Sequence, residues 1–151
     1  MSTKTQTRII SIGTAVPKNE YLQSDLAHWM HKRLDGKDER LGRIFQALYR
    51  KTKIDKRYSV LQDFNSNLSS AELFGANTVE PKVEERLAIY DREAILLAKK
   101  AVDNCLQSFD TSKITHLITV SCTGMSAPGL EIKLKQKVGL NTGVQTHAVN
   151  F

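Results

Sequence analysis

The stretch Ile114–Phe151, ITHLITVSCTGMSAPGLEIKLKQKVGLNTGVQTHAVNF, holds the clearest pattern in the chain. Its first residues, 114–120, are an apolar and β-branched run typical of a buried strand. Residues 121–129 are small and polar and end in Pro-Gly, which is typical of a turn. A short amphipathic helix over Leu130–Val138 and a second strand over Gln145–Val149 follow. Strand, helix and strand in this order predict two strands joined by a crossover helix.

The first half of the chain shows weaker versions of the same signals. Arg8–Gly13 is a β-branched run closed by a glycine, which predicts a strand. Ser24 is placed to cap a helix, and Asp38 to begin a second one. Lys53–Leu61 is strand-like but interrupted by charges. In the second helix, the first apolar residue is followed by others three, four and seven positions later. This spacing places them on one face of the helix. They are Leu41, Ile44, Phe45 and Leu48.

The longest periodic segment begins after Pro81, a residue that suits a first helical turn. Its apolar residues step by three or four positions over about six turns, which predicts the strongest helix of the chain. They are Val83, Leu87, Tyr90, Ala94, Leu97, Ala101 and Cys105. Strands therefore alternate with helices along the sequence. The predicted fold class is α/β, a mixed sheet with crossover helices.

Length and composition are those of one globular domain or of part of a larger one. The chain has 151 residues, of which 40% are hydrophobic and 25% charged, unlike a disordered chain. The N-terminus has no apolar signal-peptide core, and the longest apolar run, Ala94–Ala98, is too short to cross a bilayer. Cys105 and Cys122 lack the close spacing of zinc or redox motifs. We therefore expect a cytoplasmic protein that does not associate with membranes.

The formal net charge of +6 comes from one segment, Lys32–Arg57. This segment contains ten basic and four acidic residues, whereas the rest of the chain balances at twelve against twelve. A concentrated basic patch is typical of proteins that bind nucleic acid, a membrane surface or a phosphorylated cofactor. From composition alone, a solvated helix face is the better interpretation.

Four short motifs occur in an order and spacing that are specific when taken together. They are Gly13-Thr14-Ala15-Val16-Pro17, Ile54-Asp55-Lys56-Arg57-Tyr58, Ile114-Thr115-His116-Leu117, and Pro128-Gly129 followed by Leu134 and Gly139-Leu140. In this order they resemble the N-terminal part of the type III polyketide synthases, the chalcone synthase-like condensing enzymes. The resemblance implies a thiolase-like fold, of which residues 1–151 are a truncated N-terminal domain and the C-terminal half is absent.

The resemblance also implies an activity. Members of the family are homodimeric acyltransferases that load an acyl group from coenzyme A (CoA) onto a cysteine. They then decarboxylate malonyl-CoA and extend the acyl chain by Claisen condensation. We therefore expect acyl-CoA and malonyl-CoA as substrates, with no tightly bound cofactor, no metal and no nucleic-acid partner. The nucleophilic cysteine is expected shortly after Phe151, and the catalytic histidine and asparagine in the C-terminal half, so residues 1–151 alone are expected to be inactive.

Two groups of binding residues follow from the same resemblance. The basic motif of the family helps to hold the CoA phosphates, which gives this role to Lys56 and Arg57, with Lys53 as a helper. Cations beside a pyrophosphate form charge-assisted hydrogen bonds, and arginine can bind it bidentately. The second group lines the acyl pocket in the turn after the strand at 114–120. Its members are Cys122, Thr123, Met125 and Ala127.

Two residues of this turn need a closer interpretation. Many plant members carry a methionine at the position of Ala127, and it reaches into the cavity of the partner subunit. Alanine cannot do so, which leaves the closure of this pocket open. Cys122 is interpreted as a small, soft pocket wall rather than as a nucleophile, and Cys105 as a core residue.

Alternatives stay open at this point. His28 and His31, three positions apart on a helix, could place two metal ligands on one side, but exposed helix histidines fit better without a third ligand. His116 and His147 are interpreted as structural. The activity could be that of another thiolase-fold condensing enzyme, such as a ketoacyl-carrier-protein synthase III. The chain could also be a non-catalytic basic fragment that binds an anionic partner through Lys32–Arg57.

Overall fold

A computed structural model describes residues 6–34, 39–65, 71–75 and 80–151 of the chain. The chain divides into two compact units. One unit is Val16–Arg86, and the other combines Met1–Ala15 with Leu87–Phe151. Asp38, the predicted start of the second helix, lies outside the described residues.

The unit Val16–Arg86 contains a helical hairpin and a two-stranded sheet. In chain order its elements are β1 (Asn19–Leu22), α1 (Gln23–Leu34), α2 (Glu39–Lys51) and β2 (Lys56–Ser59). The strands are antiparallel, with Asn19 opposite Ser59 and Leu22 opposite Lys56. α1 packs against α2 where Gly42 is buried: a Cβ at this position would lie 2.6 Å from Nδ1 of His31. The absence of a side chain at Gly42 therefore lets the two helices approach.

The predictions for this unit are confirmed in part. Both helices form, but α1 begins at Gln23, so Ser24 is not its cap, and the Ser24 hydroxyl donates to Asp25 instead. The strand-like run at 53–61 forms the four-residue strand β2. β1 is not predicted, because a four-residue strand carries little pattern of its own and exists through its non-local pairing with β2.

The core of this unit is aromatic. The ring of Phe64 makes edge-to-face contacts with Tyr21 at 5.5 Å and with Trp29 at 5.1 Å between centroids. Phe74 extends the cluster from Trp29, at 5.9 Å. Such pairs contribute about 0.5–1.5 kcal/mol each beyond the area they bury. The predicted apolar face of α2 contributes less to the core than its periodicity indicates, since Leu41, Ile44 and Leu48 are half-exposed.

The second unit contains the parallel strand pair predicted from the sequence. Most of α3 (Val83–Leu106) belongs to it, followed by β3 (His116–Ser121), α4 (Leu130–Val138) and β4 (Gln145–Asn150). β3 and β4 are parallel, with His116 opposite Gln145 and Ser121 opposite Asn150, and α4 is the crossover between them. The predicted bounds of α4 are confirmed at both ends. The predicted bounds of α3, β3 and β4 agree with the structure within two residues.

The end of α4 shows why its boundary is readable from the sequence. Gly139 adopts a left-handed conformation with φ of 74°, and its N–H donates to the carbonyl of Gln136. The N–H of Leu140 donates to the carbonyl of Lys135, which completes the cap. The ammonium of Lys135 also donates to the carbonyls of Thr142 and Val144, at 2.7 and 2.6 Å. These bonds fix the return of the chain from helix to strand.

The predicted strand over Arg8–Gly13 is wrong. Within the described part of the chain this segment pairs with no strand, and Ile9 is 84% exposed. A β-branched run favours extended backbone, but a strand also needs a hydrogen-bonding partner. The segment lies instead along α3, where a Cβ on Gly13 would be 2.3 Å from the carbonyl oxygen of Ala101. The side-chain amide of Asn104 donates to the carbonyl of Thr14 at 2.9 Å.

Candidate functional site

The turn between β3 and α4, residues 122–129, is the first candidate site. It follows the carboxyl end of a parallel strand, which is where open α/β sheets place their ligands. The four residues predicted to line an acyl pocket all lie here and are all exposed, Met125 at 81%. They are Cys122, Thr123, Met125 and Ala127. The structure therefore gathers these residues on one loop, and their role stays a prediction.

One end of this turn is tied to α3 by a hydrogen-bonded pair that we call the strand-end anchor, Tyr90–Ser121. The two hydroxyls are 2.8 Å apart. Ser121 donates to the carbonyl of Thr123 at 2.6 Å and accepts from the N–H of Thr123 at 3.3 Å. Because a serine hydroxyl has a single hydrogen, Tyr90 must be the donor in its bond to Ser121.

The other end of the turn is tied to α3 by what we call the lysine anchor, Asp91–Lys133–Ser126. The ammonium of Lys133 donates to both carboxylate oxygens of Asp91 at 2.8 Å and to the hydroxyl of Ser126 at 3.0 Å. All three ammonium hydrogens are thereby used. Ser126 in turn donates to the carbonyl of Pro128 at 3.1 Å. An ion pair between α3 and α4 thus also fixes the loop between β3 and α4.

The lysine anchor has a defined pH dependence. Its hydrogen bond from Lys133 holds the pKa of Asp91 below the ordinary value of 3.8. A carboxyl whose pKa is lower in the folded state stabilises that state above the unfolded pKa, and this stabilisation is lost as the pH falls through the folded value. The anchor is therefore complete at neutral pH and is lost as the pH falls through the folded-state pKa of Asp91, which lies below 3.8.

Between the two anchors, the backbone of the turn lies directly against a ring of α3. Gly124 has φ of 81°, a conformation that favours glycine, and a Cβ there would lie 2.0 Å from Cε1 of Tyr90. Glycine is therefore needed at this position for two separate reasons, its backbone angle and its contact with the tyrosine. The sequence shows the glycine, but only the tertiary structure shows that the ring of Tyr90 lies against it.

The predicted phosphate-binding cations form the second candidate site, and they face in different directions. Successive strand residues point to opposite faces of a sheet, and β2 carries Lys56 and Arg57 in succession. Lys56 forms an ion pair with Glu20 across the sheet at 2.9 Å, which raises the pKa of Lys56 and lowers that of Glu20. Lys53 is exposed, with φ of 53°, in the connection between α2 and β2. The structure therefore does not bring all three cations onto one face.

Arg57 alone of these three borders a cavity, of about 610 Å³, within the unit Val16–Arg86. The cavity walls include Trp29, Phe64 and Phe74 together with a second arginine, Arg33. The guanidinium of Arg33 lies 5.5 Å from the centre of the Trp29 ring and donates to the carbonyl of Phe74 at 3.1 Å. Sequence reasoning missed this cavity, because its aromatic walls are far apart along the chain.

A single hydrogen bond orients Arg57 in that cavity wall. Its Nε donates to Oε1 of Gln23 at 2.8 Å, and Gln23 is itself buried. The described residues provide no hydrogen-bond partner for the two Nη groups of Arg57. A guanidinium held at Nε with its Nη pair available is suited to a phosphate or a carboxylate.

All four histidines fall on helices and strands as expected, but only one of the two on α1 has the expected exposure. His28 is exposed, whereas His31 is half-buried where α1 packs against Gly42. His116 and His147 lie on neighbouring strands, and their rings are stacked at 5.8 Å between centroids. Among the described residues, no group of three or more His, Cys, Asp or Glu side chains is placed to hold a metal ion. In the same residues, no helix combines the length and the apolar character needed to cross a membrane.

Solved structures first define the class of the fold. The structure matches PKS-I from the brown alga Ectocarpus siliculosus with a TM-score of 0.82 and 22% identity, over 99% of this chain and 41% of that one. A CsyB variant solved in complex with CoA-SH matches with a TM-score of 0.77 and 26% identity, over 93% of this chain and 35% of that one. The chain therefore has the thiolase-like fold of type III polyketide synthases, here as a mixed α/β structure with a crossover helix.

Sequence comparison then gives the family. The profile of the chalcone and stilbene synthases, N-terminal domain, matches residues 1–151, and the chain belongs to this family. Curcumin synthase 1 from Curcuma longa is 29% identical over 135 residues, which is 87% of this chain and 34% of the relative. The chain thus spans about a third of the length of that curated relative.

Proposed function

We propose that the protein whose N-terminal domain is formed by residues 1–151 is an acyl-CoA-dependent condensing enzyme. It loads an acyl group from CoA onto a cysteine, decarboxylates malonyl-CoA and joins the resulting carbanion to the acyl group by Claisen condensation. The observation that supports this reaction most strongly is the match of the family profile over the entire chain. As in the family, the active protein is proposed to be a cytoplasmic homodimer without a tightly bound cofactor.

We propose further that Arg57 is the principal cation of this domain for the CoA phosphates. It borders a cavity, its Nε is fixed by Gln23, and its Nη pair lacks a partner among the described residues. Lys53 and Lys56 lie outside the residues that border this cavity, and Lys56 already has Glu20 as a partner. We assign these two lysines a helping role outside the cavity. The solved CsyB variant with CoA-SH is a precedent for CoA binding on this fold.

Substitution of Arg57 tests this assignment. Arg57→Met keeps a long apolar side chain but removes the charge, and it should raise KM for an acyl-CoA by about tenfold or more, because a charge-assisted bond is lost. The KM should also lose part of its dependence on salt. Lys100→Met is the matched control, since Lys100 is an exposed lysine on α3. Equal KM values in wild type and Arg57→Met would contradict the assignment.

The nucleophile is proposed to be neither of the two cysteines described above. Cys122 is exposed on the pocket turn, at a position that lines the acyl cavity in the family. Cys105 lies on α3, half-buried near Gly13. We propose instead that the reactive thiol follows residue 151, and that histidine and asparagine side chains of the second half of the fold complete the site.

A further inference from the structure

The turn 122–129 has one side held against α3 and one side open. Three residues contact the side chain of Tyr90 or the ammonium of Lys133 directly, namely Ser121, Gly124 and Ser126, and all three are half-buried. The predicted pocket residues that lie between and beside them, Cys122, Thr123, Met125 and Ala127, are exposed. The inner contacts therefore determine where the outer side chains lie.

The strand-end anchor leaves Ser121 no unused hydrogen-bonding capacity. Ser121 donates to Thr123, and it accepts from the N–H of Thr123 and from the hydroxyl of Tyr90. One donor and two acceptor positions are all that a hydroxyl offers. Removal of the Tyr90 hydroxyl would leave an acceptor unfilled and would release the first residues of the turn from α3.

The ring of Tyr90 makes a second and independent contact with the turn. It lies so close to Gly124 that a Cβ there would be 2.0 Å from Cε1 of Tyr90. The Tyr90 ring therefore limits how closely the helix and the middle of the turn can approach. The lysine anchor holds the far end through Ser126, at 3.0 Å from Lys133.

We propose that Tyr90 is a positioning residue that sets the shape of the acyl pocket, and that the lysine anchor supports it at the far end of the turn. Tyr90 acts through Ser121 and Gly124, and it does not itself touch the acyl group. The inference rests on the proposed function, because it takes the exposed residues of the turn as the pocket wall. Its consequence is that α3, outside the pocket, controls which acyl chains fit.

The test uses the full-length protein and two readouts on the same variants. Tyr90→Phe keeps the ring and removes only the hydroxyl. The first readout is the rate at which iodoacetamide alkylates Cys122, followed peptide by peptide by mass spectrometry and needing no substrate. The second is the ratio of kcat/KM for a long and a short acyl-CoA starter. Tyr90→Phe should raise the alkylation rate and the long-to-short ratio by about fivefold each, since one net hydrogen bond is lost.

Two controls separate positioning from general destabilisation. Lys99→Met removes an exposed ion pair with Asp103 on the same helix and should change neither readout. Cys105, which lies on α3 and outside the turn, serves as an internal reference, and its alkylation rate should stay constant in Tyr90→Phe. In a Ser121→Ala background, Tyr90→Phe should change neither readout further, because both substitutions break the same strand-end anchor.

The possible outcomes distinguish a failure of the positioning role of Tyr90 from a failure of the proposed function. Unchanged Cys122 alkylation and an unchanged starter ratio in Tyr90→Phe would overturn the positioning role. A full Tyr90→Phe effect in the Ser121→Ala background would also overturn it. If wild type turns over no thioester, the proposed function is wrong, and the Cys122 rate still decides whether Tyr90 holds the turn.

Discussion

At the scale of single residues, the carboxylate of Asp63 is tightly constrained. Its side chain is 1% exposed, and it accepts hydrogen bonds from three successive backbone N–H groups. Glu72 donates at 3.0 Å, and Leu73 and Phe74 donate at 2.6 Å. A buried charge is tolerated when hydrogen bonds satisfy it. Asp63 thus holds the loop that carries Phe74, one wall of the aromatic cavity beside Arg57.

Asp63→Asn should loosen this loop while keeping the size of the side chain. The amide offers one acceptor oxygen where the carboxylate has two, so at least one of the three N–H groups loses its bond to residue 63, at a cost of about 1–3 kcal/mol. Amide hydrogen exchange at Leu73 and Phe74 should accelerate by about five- to hundredfold. The control is Asp103→Asn, which changes an exposed carboxylate on α3. Unaltered exchange at both amides in Asp63→Asn would refute the role of Asp63.

The hydrogen bonds of Asp63 could not be predicted from the sequence. Asp63 lies in a polar stretch that the sequence marks as a loop, and its partners are nine to eleven positions away. No periodicity connects them. Tyr90 is similar: its spacing assigns it to the apolar face of α3, but only the packing of the turn shows that its hydroxyl meets Ser121. The placement of Cys122, Thr123, Met125 and Ala127 on one loop could be predicted, because they are close together in the sequence, and their role in a pocket stays a prediction.

At the scale of elements, α3 holds two other parts of the second unit in place. It holds the turn 122–129 through two anchors, and it also carries the segment before Val16. Gly13 lies on its surface, where an added Cβ would be 2.3 Å from the carbonyl oxygen of Ala101 and 2.4 Å from the N of Cys105. Both are backbone atoms of a helix and cannot shift independently.

Gly13→Ala should therefore detach the N-terminal segment from α3. Backbone atoms of a continuous helix cannot yield by several tenths of an ångström, so the segment has to move instead. We expect faster limited proteolysis around residue 13 and a lower unfolding midpoint. Gly143→Ala is the matched control, because the nearest atom to its Cβ would be 3.8 Å away. A Gly13→Ala protein as protease-resistant as Gly143→Ala would show that the segment is not packed as described.

Elements whose own residues carry a clear pattern could be predicted. Elements that depend on pairing with residues far along the chain could not. α3 and α4 follow from periodicity, and α4 also from Gly139 at its end. β3 and β4 follow from apolar runs on either side of a crossover helix. By contrast, Arg8–Gly13 has the composition of a strand without a strand to pair with in the described residues, and β1 exists only through its pairing with β2.

At the scale of the whole molecule, the two candidate sites lie in different compact units, the cations in Val16–Arg86 and the pocket turn in the other. The second unit also exposes one face of its strand pair, where Ile118 and Val120 are 62% and 64% exposed. The chain spans about a third of curcumin synthase 1. We therefore assign the proposed reaction to the whole protein and expect its nucleophile elsewhere than at Cys122.

The most direct test of this assignment is the turnover of malonyl-CoA by the full-length protein and its Cys122→Ala variant. With an acyl-CoA starter, both should release CO2 and CoA and give condensed products detectable by mass spectrometry. Loss of a catalytic nucleophile would instead lower kcat by roughly 10⁴-fold or more. Such a loss in Cys122→Ala would contradict the placement of the nucleophile after residue 151. Turnover that requires malonyl-acyl-carrier protein, or no turnover of malonyl-CoA at all, would contradict the proposed function itself.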